Sequence, residues 1–176
     1  MACSIIETRF LTAADVGTYR ELRLQALQES PTAFGSSYEQ EVCLSVTAFA
    51  TKIGSDDANR FIYGAFDDRQ QLIGMLGFSQ ESRIKRAHIG SIWSMYVSPK
   101  FRSQGIGTTL LDEVLSHARK LGVVRQIILG VTATNSTAIA LYQSRGFERF
   151  GLERDALLVD GTYFDEEHLV LYFNAW

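Results

Sequence analysis

Residues 102 to 111 read RSQGIGTTLL, two glycines around one isoleucine immediately before an apolar-striped helical pattern. The loop holds no lysine or aspartate, so its chemistry has to come from the backbone. A strand that enters a glycine turn and then a helix aims several unpaired N–H groups at one point, with the positive end of the helix dipole behind them. Such a point binds anions. Gly105 and Gly107 let a bulky phosphate approach without Cβ interference, and Arg102 adds a charge-assisted contact. The same letters also fit a tight connection with incidental glycines. Two nucleotide patterns are excluded. A P-loop ends in Gly-Lys-Ser/Thr, whereas this loop has Gly107-Thr108-Thr109, and a dinucleotide fingerprint needs a small third residue where Leu110 stands.

Asn135 and Tyr142 lie seven residues apart, two helical turns, with Ala138 keeping the shared face shallow. An amide and a phenol there either look into one cleft or serve as a helix cap and a half-buried anchor. Groups that could accept a proton are Glu81, His88, Glu39 and Glu41, each of which also fits a solvated or pairing role. His117 and His168 read as structural or surface groups, and three scattered histidines do not make a metal site. Trp93 fits core packing or a substrate wall, and Phe34 and Tyr38 could form an acceptor lid. The acidic tail residues Asp155, Asp160, Asp165, Glu166 and Glu167 either attract a cation or are simply solvated.

The elements that must position these groups follow from periodicity. Ser4 to Phe10 is β-rich, and Thr12 with Asp15 starts a helix from Ala13 to Glu29, ended by Ser30 and Pro31. A second helical region is expected from Tyr38 to Ile53, then a turn at Asp56, Asp57 and Asn59. RFIYGAF and LIGMLGFSQE form a hairpin, and a strand from Ala87 to Val97 stops before Pro99. Leu110, Leu111, Val114, Leu115, Ala118 and Leu121 repeat with helical spacing from Gly107, and Gly122 ends that helix. Arg125 to Val131 reads as a strand covered on both faces, and Asn135 opens a helix ending near Arg145, with Gly146 as cap. Phe147 to Glu153 and Glu167 to Phe173 close the sheet around the Asp160-Gly161 turn. The expected class is α/β (α+β), a mixed sheet flanked by helices.

At 176 residues, with 46 % apolar and 21 % charged residues, the chain fits one globular domain over 1–176. A net charge of −3 argues against general nucleic-acid binding. Two cysteines, Cys3 and Cys43, make neither a disulfide framework nor a zinc site. The start, MACSIIETRF, lacks a signal-peptide pattern, and no apolar run approaches the ~20 residues of a membrane span. The expectation is a cytoplasmic protein. The apolar stretch LVLYF near an edge raises a homodimer through the last strand.

Two motifs together resemble the GCN5-related N-acetyltransferase (GNAT) superfamily. Its Arg/Gln-x-x-Gly-x-Gly/Ala motif is matched by Arg102, Gly105 and Gly107 after the strand Ser91 to Val97. Its Asn-x-x-Ala-x-x-Leu-Tyr and Gly-Phe pattern is matched by Asn135, Ala138, Leu141, Tyr142, Gly146 and Phe147. The resemblance implies a mostly antiparallel sheet of about seven strands with about four helices. It implies acetyl-CoA as cosubstrate and no metal, with amides of Gln104, Gly105, Ile106, Gly107, Thr108 and Thr109 on the pyrophosphate. The strand at Met95, Tyr96 and Val97 would pair with the pantetheine arm, which Asn135 also contacts, and an N–H near Tyr96 or Val97 would polarise the thioester carbonyl. Tyr142 matches the tyrosine that protonates the leaving thiolate. The acceptor would be a primary amine of a small molecule or protein, acetylated by direct transfer. A protonated amine needs a proton acceptor, and Glu81 stands first among the candidates. Relatives that acetylate protein N-termini carry Glu within Leu-Glu-Val, where this chain has Leu129-Gly130-Val131. That departure leaves open a non-catalytic acyl-CoA sensor.

Overall fold

The computed structural model describes residues 6–53 and 58–173; Cys3 and the expected turn residues Asp56 and Asp57 lie outside them. Seven strands form one sheet in the order β1-β2-β3-β4-β5-β7-β6. They are β1 (Glu7–Phe10), β2 (Arg60–Phe66), β3 (Leu72–Gln80), β4 (Ile89–Val97), β5 (Gln126–Thr132), β6 (Glu148–Val159) and β7 (Thr162–Tyr172). Among the described residues only the β4–β5 pair is parallel. The helices are α1 (Val16–Glu29), α2 (Tyr38–Val42), α3 (Val46–Ile53), α4 (Ile106–Lys120) and α5 (Ser136–Gln143). The expected seven-stranded, mostly antiparallel sheet is present, with five helices rather than about four.

The extra helix comes from a break inside the stretch expected to run unbroken from Tyr38 to Ile53. Leu44 N–H closes the first piece onto the Glu41 carbonyl, and the Ser45 hydroxyl caps the second by accepting from Ala48 N–H at 3.2 Å. At the start of α1 the expected cap is formed. The Asp15 carboxylate accepts from Thr12 N–H at 2.8 Å and is held by Arg9 at 2.8 Å.

Two apolar cores lie against the sheet. One packs α4, through Leu110, Leu111, Val114, Leu115 and Ala118, onto Ile92, Ile127, Leu129 and Val131. The other gathers α1 and α3, through Tyr19, Leu22, Leu27 and Phe49, with Ile62, Met75 and Tyr96. Strand β5 therefore has two different faces. Ile127, Leu129 and Val131 are buried, while Ile128 is half-buried and Gly130 exposed, so it is not the doubly covered strand its apolar run suggests.

The closing hairpin is longer than expected. Its strands run to Val159 and from Thr162, around Asp160 and Gly161 at φ of 50° and 77°, the conformation of a type I′ turn. Its outer half pairs only with itself, because β5 meets β7 from Glu166 onward. From Glu166 to Val170 the last strand has no free edge. It lies between β5 and β6, and Leu169, Val170 and Leu171 are buried, so the pairing surface expected of LVLYF is already used.

Candidate active site

The site begins with a fork. β4 and β5 pair only through Ile89–Ser91 and Gln126–Ile128; beyond that, residues 92–97 and 129–132 diverge. Their facing edges keep backbone donors and acceptors unspent. On its other edge β4 carries a bulge. Met75 pairs with Tyr96 and Gly77 with Trp93, so Leu76 faces both Ser94 and Met95. Ser94 adopts φ of +58°, a left-handed conformation costly for a residue other than glycine. Its hydroxyl accepts a hydrogen bond from Arg23 at 3.1 Å, and Arg23 is itself paired with Glu41 at 2.8 Å.

The fork opens into a cleft of about 780 Å³. Met95, Tyr96 and Val97 form one wall, and Arg102, Gly105, Ile106, Gly107 and Thr108 another. Asn135, Ala138 and Leu141 form a third, and the end of α1 with residues 30–34 a fourth. Gly105 has φ of +81°, which favours glycine and turns the chain into α4. The N–H groups of residues 103–108 donate to no carbonyl of the described chain. Thr109 is different from the expectation: its N–H is spent on Gly105 oxygen at 2.9 Å, and its hydroxyl bonds the same carbonyl. Neither Thr109 nor Gln104 lines the cleft, and the Gln104 side chain donates to the Lys100 carbonyl.

A bundle of free N–H groups beside a guanidinium fits a diphosphate, and an open strand edge fits an extended arm carrying amides. Arg102 is partly engaged. It donates to Val97 oxygen at 2.9 Å, reaches Glu29 at 2.8 Å, and lies 5.6 Å above the Tyr96 ring. The Tyr96 hydroxyl also donates to Glu29, and burial followed by that bond pushes its phenol above the ordinary tyrosine range. Asn135 both caps α5, accepting from Ala138 N–H at 3.2 Å, and lines the cleft, so the two roles open in the sequence coexist.

Tyr142 is only 5 % exposed and stands behind Leu141 rather than in the cleft lining. It packs edge-on against Phe147 at 5.6 Å, and burial pushes its phenol up, which keeps it protonated. Glu81 is not brought to the site. Its N–H bonds the Ile89 carbonyl, at the closed end of β4. From Ile89 to Met95 is six residues, ~20 Å of strand. Its carboxylate is held by Arg83 at 2.5 Å, a bond that brings its pKa down to about 2, and lies 3.6 Å from Arg86. A carboxylate so placed and paired is a poor base for this cleft. His88 is exposed at the same closed end, Glu39 is exposed on α2, and Glu41 is buried against Arg23 and Lys52.

Glu29 and residues 31–34 enter the cleft from outside both motifs. Thr32 is fixed by the Thr132 hydroxyl, which donates to its carbonyl. Nothing in the local pattern of α1 marks Glu29; its meaning depends on Arg102, 73 positions away.

The family model for the acetyltransferase (GNAT) family matches residues 22–147, and the chain belongs to that family. Among curated relatives, N-alpha-acetyltransferase RimI of Mycobacterium tuberculosis is 39 % identical over 91 residues, covering 52 % of this chain and 54 % of that protein. The [ribosomal protein bS18]-alanine N-acetyltransferase of Escherichia coli K12 is 35 % identical over 65 residues, 37 % of this chain and 43 % of that one. The mycothiol acetyltransferase of Geodermatophilus obscurus is 34 % identical over 65 residues, 37 % and 21 %. The chain thus spans about half or less of the curated relatives it matches. Among solved structures, a GNAT acetyltransferase from Streptococcus pneumoniae superposes with a TM-score of 0.83 at 21 % identity, covering 96 % of this chain and 100 % of that one. The Salmonella typhimurium protein yncA, solved with its cofactor acetyl-CoA, gives 0.79 at 18 %, covering 98 % and 96 %. Likeness at that identity establishes the fold. Among the described residues no helix is long and apolar enough to cross a membrane.

Proposed function

We propose that the protein is an acetyl-CoA-dependent N-acetyltransferase that moves the acetyl group directly to a primary amine, within one domain over residues 1–176. One observation carries this reading: the fork between β4 and β5 opens into the same cleft as the free N–H groups at the start of α4. The loop would hold the diphosphate of the bound cosubstrate, and the open edge at Met95–Val97 would take its amide-bearing arm, as Asn135 would from the other side. When bound, that group supplies an activated acetyl thioester. The chain's part is to orient it, to present backbone donors to a developing oxyanion, and to move protons. Tyr142, kept neutral by burial, is the nearby acid for the departing sulfur.

Titration calorimetry with acetyl-CoA and thiol release with a panel of primary amines test the reading. Tight binding with turnover supports it, and the absence of both binding and turnover overturns it. A non-catalytic acyl-CoA sensor is favoured by Gly130, which leaves β5 without a carboxylate of its own. Tyr142→Phe separates the two. An enzyme loses kcat at least ~10-fold with little change in cofactor affinity, whereas a sensor has no turnover to lose.

A further inference from the structure

Gly130 stands two residues beyond the last β4–β5 pair, on the face of β5 opposite the α4 core. The space its side chain would fill is taken by a carboxylate from another strand. A Cβ built on Gly130 would lie 3.3 Å from both carboxylate oxygens of Glu166 and 3.4 Å from its Cδ. Glu166 sits opposite Thr132 in the β5–β7 ladder, so its side chain leans back along β5 to reach that space. Among the described residues this carboxylate accepts no hydrogen bond and forms no ion pair.

Counting the same two residues past Ser91 on β4 reaches Trp93, the residue before the Ser94–Met95 bulge. The carboxylate is therefore level with the bulge, across the fork. Its ladder partner Thr132 donates to the carbonyl of Thr32, a residue of the cleft wall, while Gly130 and Glu166 stand outside the residues that line the cleft. Across the β6–β7 ladder Glu166 faces Glu153, a like charge that is engaged by His168 at 3.0 Å. An unpaired carboxylate in such a place suits a cation, and an alkylammonium is the cation that this reaction brings.

We propose that Glu166 is the residue that receives the acceptor amine and takes its proton, which makes the acceptor a primary amine that is cationic near neutral pH. This rests on the acetyl-transfer reading above. One proton passes from the ammonium to Glu166 and on to solvent, freeing the nitrogen lone pair. That pair forms the C–N bond at the thioester carbonyl. The C–S bond breaks with its electrons on sulfur, and the second nitrogen proton ends on the thiolate. Thioester and ammonium become amide, thiol and one released H⁺.

The test compares wild type, Glu166→Gln and Glu166→Asp. Each is titrated with coenzyme A, and each is assayed by thiol release from acetyl-CoA with spermidine, L-alaninamide and a lysine-containing peptide. The expected result is coenzyme A affinity within twofold of wild type in both variants. On the amine that wild type accepts, kcat/KM falls 10²- to 10⁴-fold for Gln and less for Asp. Glu166→Gln within threefold of wild type in kcat/KM, with normal coenzyme A affinity, overturns the role and leaves acetyl transfer standing. Loss of coenzyme A affinity in both variants overturns it in favour of a structural part for Glu166. Wild type that binds coenzyme A but acetylates none of the three amines overturns the acetyl-transfer reading and this role with it.

Discussion

The two sides of the sheet are built from different materials. The α4 side offers backbone: a left-handed glycine, the free N–H groups of one loop and helix start, and an open strand edge, all within residues 92–141. The α1 side is assembled from side chains that meet across long stretches of chain. Arg23 reaches Glu41 and Ser94 over 18 and 71 positions, Arg102 reaches Glu29 over 73, and Thr132 reaches Thr32 over 100. A ligand common to many proteins can be held by main chain, whose donors any sequence supplies. An acceptor particular to one protein has to be met by side chains, which tertiary structure alone brings together.

The sharpest way to test that division is Glu41→Ala. Glu41 is 3 % exposed and joined to Arg23 and Lys52, so its removal strands a buried guanidinium and should cost ~3–5 kcal/mol in chemical denaturation. If the sides are separable, coenzyme A affinity of the folded fraction stays within a few-fold; a large loss would break the comparison. Acid should act on the same pair. Burial alone would raise the Glu41 pKa, but the bonds from Arg23 and Lys52 prevail and bring it to about 2 from 4.5. With a depressed folded-state pKa the stabilisation is complete above the unfolded value and is lost as pH falls from about 4.5 toward 2. On the order of 3 kcal/mol is at stake in full, of which about 2 kcal/mol is lost by pH 3 and is readable from urea midpoints at pH 6 and pH 3.

Smaller effects probe the main-chain side. Gly105→Ala forces a Cβ onto φ of +81° with open space around it, so only backbone strain is felt, ~1–2 kcal/mol. Because that strain falls on the loop proposed to hold the diphosphate, coenzyme A binding should weaken ~10-fold in calorimetry while the α1 side is untouched. Least of all should come from Glu81→Gln, at the closed end of β4: turnover unchanged and stability within ~0.5 kcal/mol. A tenfold drop in kcat there would return Glu81 to the site.

How much of this was legible in the sequence follows the same division. The helix from Ile106, the glycine turn and the Asn135 cap were readable because each is a local signal, set by residues within four or five positions. The α2–α3 break was missed because a single serine cap interrupts an otherwise helical pattern. The outer half of the β6–β7 hairpin was missed because it lies beyond the sheet and lacks a clean inside–outside alternation. Glu29 carries no local mark, and Glu166 stands in the sequence only as one of five acidic residues that either attract a cation or are solvated, since a carboxylate gains meaning only from what stands opposite. Gly130 adds a hint: a bare position on a strand next to a proposed site asks what fills it.

The extra residue in β4 has a consequence for where insertions and deletions can be tolerated. Because Ser94 is accommodated without a partner, Tyr96 faces the α1 core while Met95 and Val97 pack toward α4. Trp93 also lies on the α1 side, so removing Ser94 would leave Trp93, Met95, Tyr96 and Val97 alternating on their present walls, whereas flattening the bulge with Ser94 kept would put a phenol among the aliphatic side chains and take the hydroxyl donor from Glu29. The walls are thus kept by the bulge, which absorbs the extra residue before its shift reaches the end of the strand.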